Sequence, residues 1–226
     1  MFFDTGYLVY VLPAIILAMF AQAKVSSTFN KYSKVNNHRG ITGADVAKKI
    51  LNLYGISDVT VEKVSGNLTD HFDPKSKVIR LSDSVYSSTS VAALGVAAHE
   101  TGHAIQHNKG YMPIRLRNAV LPVASIGSNI AFPLVILGII FSFSTLVNFG
   151  IILFSAVVLF QIITLPVEFN ASRRAISVLE EQYILTDDEL GGAKKVLSAA
   201  AMTYVAATIV ALGNLLRLLS LARRND

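Results

Sequence analysis

Four long apolar stretches and two charge-rich ones share the 226 residues of this chain. The first apolar stretch runs from about Tyr7 to Ala23 (YLVYVLPAIILAMFAQA) and stops at Lys24. It has no basic leader and follows Phe2, Phe3 and Asp4, so an uncleaved membrane anchor is favoured over a cleaved signal peptide. Asn118 to Val167 is fifty residues without one Asp, Glu, Lys or Arg. A hydrocarbon core of ~30 Å needs only about 20 helical residues. The stretch therefore reads as two spans, near Ala119–Phe141 and Leu146–Val167, turning around Ser142–Ser144. The fourth stretch, Val196 to Leu216, is rich in Ala and fits either a further span or a helix packed in the interior.

Between Lys24 and Arg117 the pattern becomes that of a folded, water-facing region. Thr42 can cap a helix to about Leu53, with Val46, Ile50, Leu51 and Tyr54 on its apolar face and Gly55 ending it. Val59 to Val64 alternates apolar and polar side chains, as a half-buried strand does. Gly66-Asn67 supplies a turn, LTDHFDPKS reads as a polar loop, and Lys77 to Leu81 reads as a second strand. That strand is either an edge to which an extended peptide could add, or one arm of a structural hairpin. Ser88-Thr89-Ser90 can cap a last helix from Val91 to about His107.

Composition places this pattern in a membrane. Hydrophobic residues make up 52% of the chain and charged ones 15%, with mean hydropathy +0.50, which is too apolar for an ordinary soluble domain. The absence of cysteine rules out disulfides and thiolate ligands. A net charge of +5 reports topology here, since no aromatic-basic interleaving of the kind that stacks bases is present, and no nucleic-acid partner is expected. Residues 24–117 hold thirteen Lys and Arg, residues 168–195 four, and the end of the chain three: Arg217, Arg223 and Arg224. With the amino terminus outside, both charged regions fall on the cytoplasmic side.

The chemistry lies at residues 99–103, His-Glu-Thr-Gly-His. On a helix, positions i and i+4 share a face, so His99 and His103 can hold one Zn2+ while Glu100 reaches a water on it. Val96, Ala97, Ala98, Ala104 and Ile105 make the surroundings apolar, and burying His, Glu and His there without a metal would be costly. A catalytic zinc needs a third protein ligand. His107 is one turn further on, but ligands at i, i+4 and i+8 would span about 12 Å of helix, too far for one ion. Glu168, the first charge after the fifty-residue stretch, is the better candidate; its alternative role is a salt bridge to Arg173 or Arg174. His71, Arg173, Arg174 and Tyr204 are candidates to stabilise an oxyanion.

The segment DHFDPKSKVIRLSDSVYSSTSVAALGVAAHETGHAIQH, followed by PVEFNASRRA and GGAKKVLSAAAMTYVAA, resembles the bacterial integral-membrane neutral zinc metallopeptidases (YugP-like) over nearly the whole chain. More distantly it is similar to the membrane gluzincins of the HtpX and CAAX-prenyl protease type. That resemblance implies His99, His103 and Glu168 as ligands of one Zn2+ and Glu100 as general base. It also exposes a departure: those relatives carry ExxxD, whose Asp supports a ligand histidine, and this chain has Ser172 there. Asn170, Asp70, Asp73 or a main-chain carbonyl are the candidate substitutes.

The expected fold is a mostly α membrane protein, with three to four transmembrane helices and a small α+β zincin-like domain. Its expected parts are an anchor at 1–23, a cytoplasmic α+β region at 24–117, a membrane hairpin at 118–167, a third-ligand helix and connector at 168–195, and an apolar helix with a basic tail at 196–226. The expected function is a zinc endopeptidase of the bacterial cell membrane, multi-pass, its cleft at the cytoplasmic surface. Its partners would be the lipid bilayer and peptide or protein substrates, membrane proteins among them, with a homo-oligomer left open. The alternative is a non-catalytic membrane scaffold with a structural zinc site. Cleavage within the bilayer is disfavoured: there is no LDG-type ligand motif, and Lys109, Arg115 and Arg117 follow the histidines closely.

Overall fold

The structure, a computed structural model, describes residues 5–223; Phe2, Phe3, Asp4 and Arg224 lie outside the described residues. A π-helical turn, Tyr7–Val11, leads into α1 (Leu12–Tyr32). Then follow α2 (Gly43–Leu53), β1 (Thr60–Val64), β2 (His71–Asp73), β3 (Val78–Ser82) and the short α3 (Asp83–Tyr86). The chain ends in four longer helices: α4 (Val91–Asn108), α5 (Met112–Ile140), α6 (Ser144–Glu181) and α7 (Asp187–Arg223). Among the described residues, four helical stretches are long and apolar enough to cross a membrane: Tyr7–Tyr32, α5, α6 and α7. The Ala-rich fourth stretch is thus the middle of a 37-residue helix.

Contacts divide the chain into two units. One takes the chain up to Gln22, Met112–Pro166 and the chain from Met202. In it the large apolar side chains face outward: Ile16, Ile126, Phe149 and Ile152 are all more than half exposed. The buried positions of α5 are mostly small, among them Ala124, Gly127, Ala131 and Gly138. A Cβ on Gly127 would meet the Leu153 carbonyl oxygen at 2.5 Å, so glycine there lets α5 and α6 approach backbone to backbone. The two helices turn through residues 141–143, where Ser142 takes a left-handed φ of 51°.

The second unit takes Ala23–Tyr111 and Val167–Ala201. Here the apolar side chains point inward. Val46 and Ile50 of α2, Ile79 and Leu81 of β3, Leu94 of α4, Leu179 of α6 and Ile184 form one core. Both ends expected from the sequence are built as caps. Thr42 and Asp45 form a reciprocal capping box at the start of α2, and Ser90 accepts the Ala93 N–H at the start of α4.

The sheet corrects two readings. Its order is β1-β3-β2, with β1 parallel to β3 (Thr60↔Val78) and β2 antiparallel to it (His71↔Arg80). The strand read as either an edge or one arm of a hairpin is therefore central, and the segment expected as a plain loop contains one of the two edge strands, His71–Asp73. The physical reason is visible in β3 itself. Val78, Ile79 and Leu81 are buried although successive residues point to opposite faces, as in a strand covered on both sides, and the strands β1 and β2 take up its backbone groups along both edges. The β2–β3 connection is tied by Asp73, which accepts the N–H groups of Lys75 and Ser76 and the Ser76 hydroxyl. Those bonds hold its carboxyl well below the usual carboxylate range.

Candidate metal centre

His99 and His103 sit on the buried face of α4, four residues apart, with ring centroids 4.7 Å apart and planes nearly perpendicular. Glu168 comes from α6 and is 3% exposed. What lets the two helices meet is Gly102, the fourth residue of the His-Glu-Thr-Gly-His run. A Cβ there would lie 2.8 Å from the Ala171 carbonyl oxygen and 3.2 Å from its Cα. Only a residue without a side chain allows α6 this close, and one turn before Ala171 the helix presents Glu168.

Glu168 Oε2 lies 3.3 Å from His99 Nε2 and 3.5 Å from His103 Nε2. The three donor atoms all fall within 4.8 Å of one another. Zinc bonds of about 2.0–2.1 Å in a tetrahedron place neighbouring ligand atoms roughly 3.3–3.4 Å apart. The spacing therefore fits one such ion, and an N2O donor set with no thiolate suits zinc. Electrostatics agree. Burial opposes a positive charge on His103, but the hydrogen bond to Glu168 and the charges of Glu100 and Glu168 outweigh it and raise the pKa. The pocket is built to hold positive charge.

The far nitrogens of both imidazoles are also held. Ser172 Oγ, one turn along α6 from Glu168, lies 3.1 Å from His99 Nδ1. Gln106 Oε1 lies 3.0 Å from His103 Nδ1. Gln106, fully buried, in turn donates through Nε2 to the Val167 carbonyl (2.8 Å) and to Asn170 Oδ1 (3.0 Å), and Arg174 Nε donates to that same Asn170 oxygen at 2.7 Å. Glu100 is half-buried on α4, beside the histidines. Asp70 accepts the Ser82 N–H at 2.7 Å and the Ser82 hydroxyl at 3.0 Å. Burial pushes the Asp70 carboxyl up, the Ser82 bonds offset part of this, and the charge of Glu100 adds to the rise.

Of the residues singled out from the sequence, His99, His103 and Glu168 converge, with Glu100 next to them. His71 is exposed on β2, its Nδ1 2.8 Å from the Thr69 carbonyl oxygen. Arg173 is exposed on α6, Arg174 is committed through Nε to Asn170, and Tyr204 belongs to the other unit's stretch of α7. His107 is exposed and packs edge-on against Phe72, 5.8 Å between centroids. Sequence reasoning missed Gln106 and the role of Gly102. A polar amide one turn after a candidate ligand histidine, inside an Ala-rich run, was the available signal for Gln106.

Two histidines one helical turn apart, a buried carboxylate from another helix and an acidic neighbour are what zinc-dependent peptide hydrolysis requires, and likeness to known proteins points to the same class. The chain belongs to the family described as "Putative neutral zinc metallopeptidase", whose model matches residues 7–223. It is similar to the "Putative membrane protease YugP" of Bacillus subtilis (strain 168), with 48% identity over 211 residues, 93% of this chain and 94% of the relative. No solved structure matches the chain.

Proposed function

We propose that this chain is a multi-pass zinc endopeptidase of a bacterial cell membrane, with a gluzincin-like ligand set of His99, His103 and Glu168 around one ion. The observation that carries the reading is the convergence of two Nε2 atoms on one carboxylate oxygen at 3.3 and 3.5 Å. Bound there, Zn2+ supplies Lewis acidity, lowering the pKa of a water and polarising a substrate carbonyl. Glu100 would take a proton from the attacking water and pass it to the leaving amine as the peptide C–N bond breaks. His99 and His103 act as neutral donors through Nε2, and Glu168 contributes the negative charge of the set.

Substrates are peptides or unstructured protein segments, membrane proteins among them. The distribution of Lys and Arg supports a cleft on the cytoplasmic side, because both charged regions flank the uncharged stretch. The decisive measurement pairs zinc content with hydrolysis of an unstructured peptide by the purified, detergent-solubilised chain. Glu100→Gln is expected to keep zinc and lose activity by about 100- to 10,000-fold, while Glu168→Ala loses the zinc itself. A zinc-loaded protein without hydrolysis, indifferent to Glu100→Gln, would instead support a structural site. Zinc kept in Glu168→Ala but lost in His107→Ala would overturn the ligand set.

A further inference from the structure

Both imidazoles at the centre have a hydrogen-bond partner on Nδ1, but only one partner dictates where the proton sits. The chain of bonds behind His103 starts at Arg174, a guanidinium that can only donate. Its Nε lies 2.7 Å from Asn170 Oδ1, which fixes that amide with its oxygen towards Arg174. The same oxygen and the Val167 main-chain carbonyl both face Gln106 Nε2, at 3.0 and 2.8 Å. Two acceptors on one side of a fully buried amide require the NH2 group there. The Gln106 oxygen is therefore the atom 3.0 Å from His103 Nδ1, and an amide oxygen can only accept. His103 Nδ1 must carry the proton, and the neutral ring keeps its lone pair on Nε2, the atom facing Glu168.

We infer that Gln106 is a positioning residue for the metal: held with its NH2 group towards the Val167 carbonyl and the Asn170 oxygen that Arg174 fixes, it offers His103 only an acceptor and so keeps that ring in the tautomer whose Nε2 is free to bind zinc. The inference rests on the reading of the cluster as a zinc centre. The support of His99 differs in kind. Ser172 offers a hydroxyl, which can donate or accept, so it orients the ring without choosing its tautomer. One ligand is locked and the other is adaptable.

The test uses the full chain in detergent with 15N-labelled histidine. In the zinc-free protein at alkaline pH, the His103 ring is expected to show a protonated Nδ1 and an unprotonated Nε2, identified by the signals lost in His103→Gln. Gln106→Met, similar in size but unable to accept, is expected to mix the two tautomers and to weaken zinc binding by about 10- to 100-fold. Because Gln106 is buried and that variant could fail to fold, Arg174 provides a second arm at the outer end of the run. Arg174→Met, which leaves the Val167 carbonyl to orient Gln106, is expected to keep the His103 tautomer and to weaken zinc binding less than Gln106→Met does. A neutral His103 ring with its proton on Nε2 instead of Nδ1, in the zinc-free wild type at alkaline pH, would overturn the inference. So would unchanged zinc affinity in Gln106→Met, or a His103 tautomer that switches in Arg174→Met, where the Val167 carbonyl still faces Gln106. Failure of the zinc reading itself looks different: the wild type would not take up stoichiometric zinc, whatever the tautomer of His103.

Discussion

Helices α4 and α5 are made from similar apolar letters and end up with opposite sidedness. Of the 18 residues of α4, 14 are buried, including both histidines and Gln106; of the 29 residues of α5, only 6 are buried, and most of those are small. In the unit that holds the candidate metal centre, apolar surface is hidden from water and supplies the driving force for packing. In the other unit apolar surface faces outward, as it does when the solvent is lipid, and small residues set how closely helices pack. Polar chemistry therefore belongs to α4. A buried amide or imidazole there is worth its desolvation only because every partner is supplied by α4 itself or by α6.

The sharpest way to break this contrast is to make the same change on both helices. Ile105, 1% exposed on α4, and Ile126, 52% exposed on α5, differ in environment but not in chemistry. Ile105→Ala should cost about 2–5 kcal/mol of stability and Ile126→Ala no more than about 0.5 kcal/mol, read from thermal unfolding in detergent. Equal losses would mean that α5 does not present that face to lipid. A smaller effect is expected at the helix crossing. Gly102→Ala puts a methyl 2.8 Å from the Ala171 carbonyl, against backbone that cannot rotate away. The expected cost is about 1–3 kcal/mol, together with weaker zinc binding as α6 carries Glu168 outward. Stability lost with zinc affinity intact would separate the crossing from the site.

The pH dependence tests the electrostatics of the same pocket. His103 has its pKa raised above the ordinary value of 6.5, so in the zinc-free protein its charged form adds stability in full below that value and loses it as pH rises through the higher folded value. Zinc must displace that proton. Affinity should thus climb up to about tenfold per pH unit between roughly pH 6 and pH 8, measured by competition against a chelator whose own proton uptake is known. A flat profile would refute the raised value. The smallest effect is expected for Ser172→Ala, which removes the adaptable partner of His99: about tenfold or less in zinc affinity, at the low end for such supporting residues. A larger loss than for Gln106→Met would invert the ranking of the two supports.

Much of the site was legible in the chain. His99, Glu100 and His103 announce themselves by helical spacing, and Glu168 by being the first charge after fifty uncharged residues. The capping residues Thr42 and Ser90 marked the starts of α2 and α4 because their side chains satisfy N–H groups that a helix leaves open. β2 was hidden: three residues between Asp70 and Pro74 carry no readable alternation. The parallel pairing of β1 with β3 was hidden too, since adjacent strands with a turn signal between them look like a hairpin.

The sequence by itself determined the local and periodic facts: which stretches are helical, which are apolar enough for lipid, and which residues could bind a metal. Those follow from spacing and side-chain chemistry along one chain. Only the tertiary structure decided that Gly102 faces Ala171, that Ser172 reaches His99, and that Gln106 is locked between His103 and α6. Each of these joins residues more than sixty positions apart or depends on the direction of a hydrogen bond, and neither distance nor direction is written into a pattern of residue types.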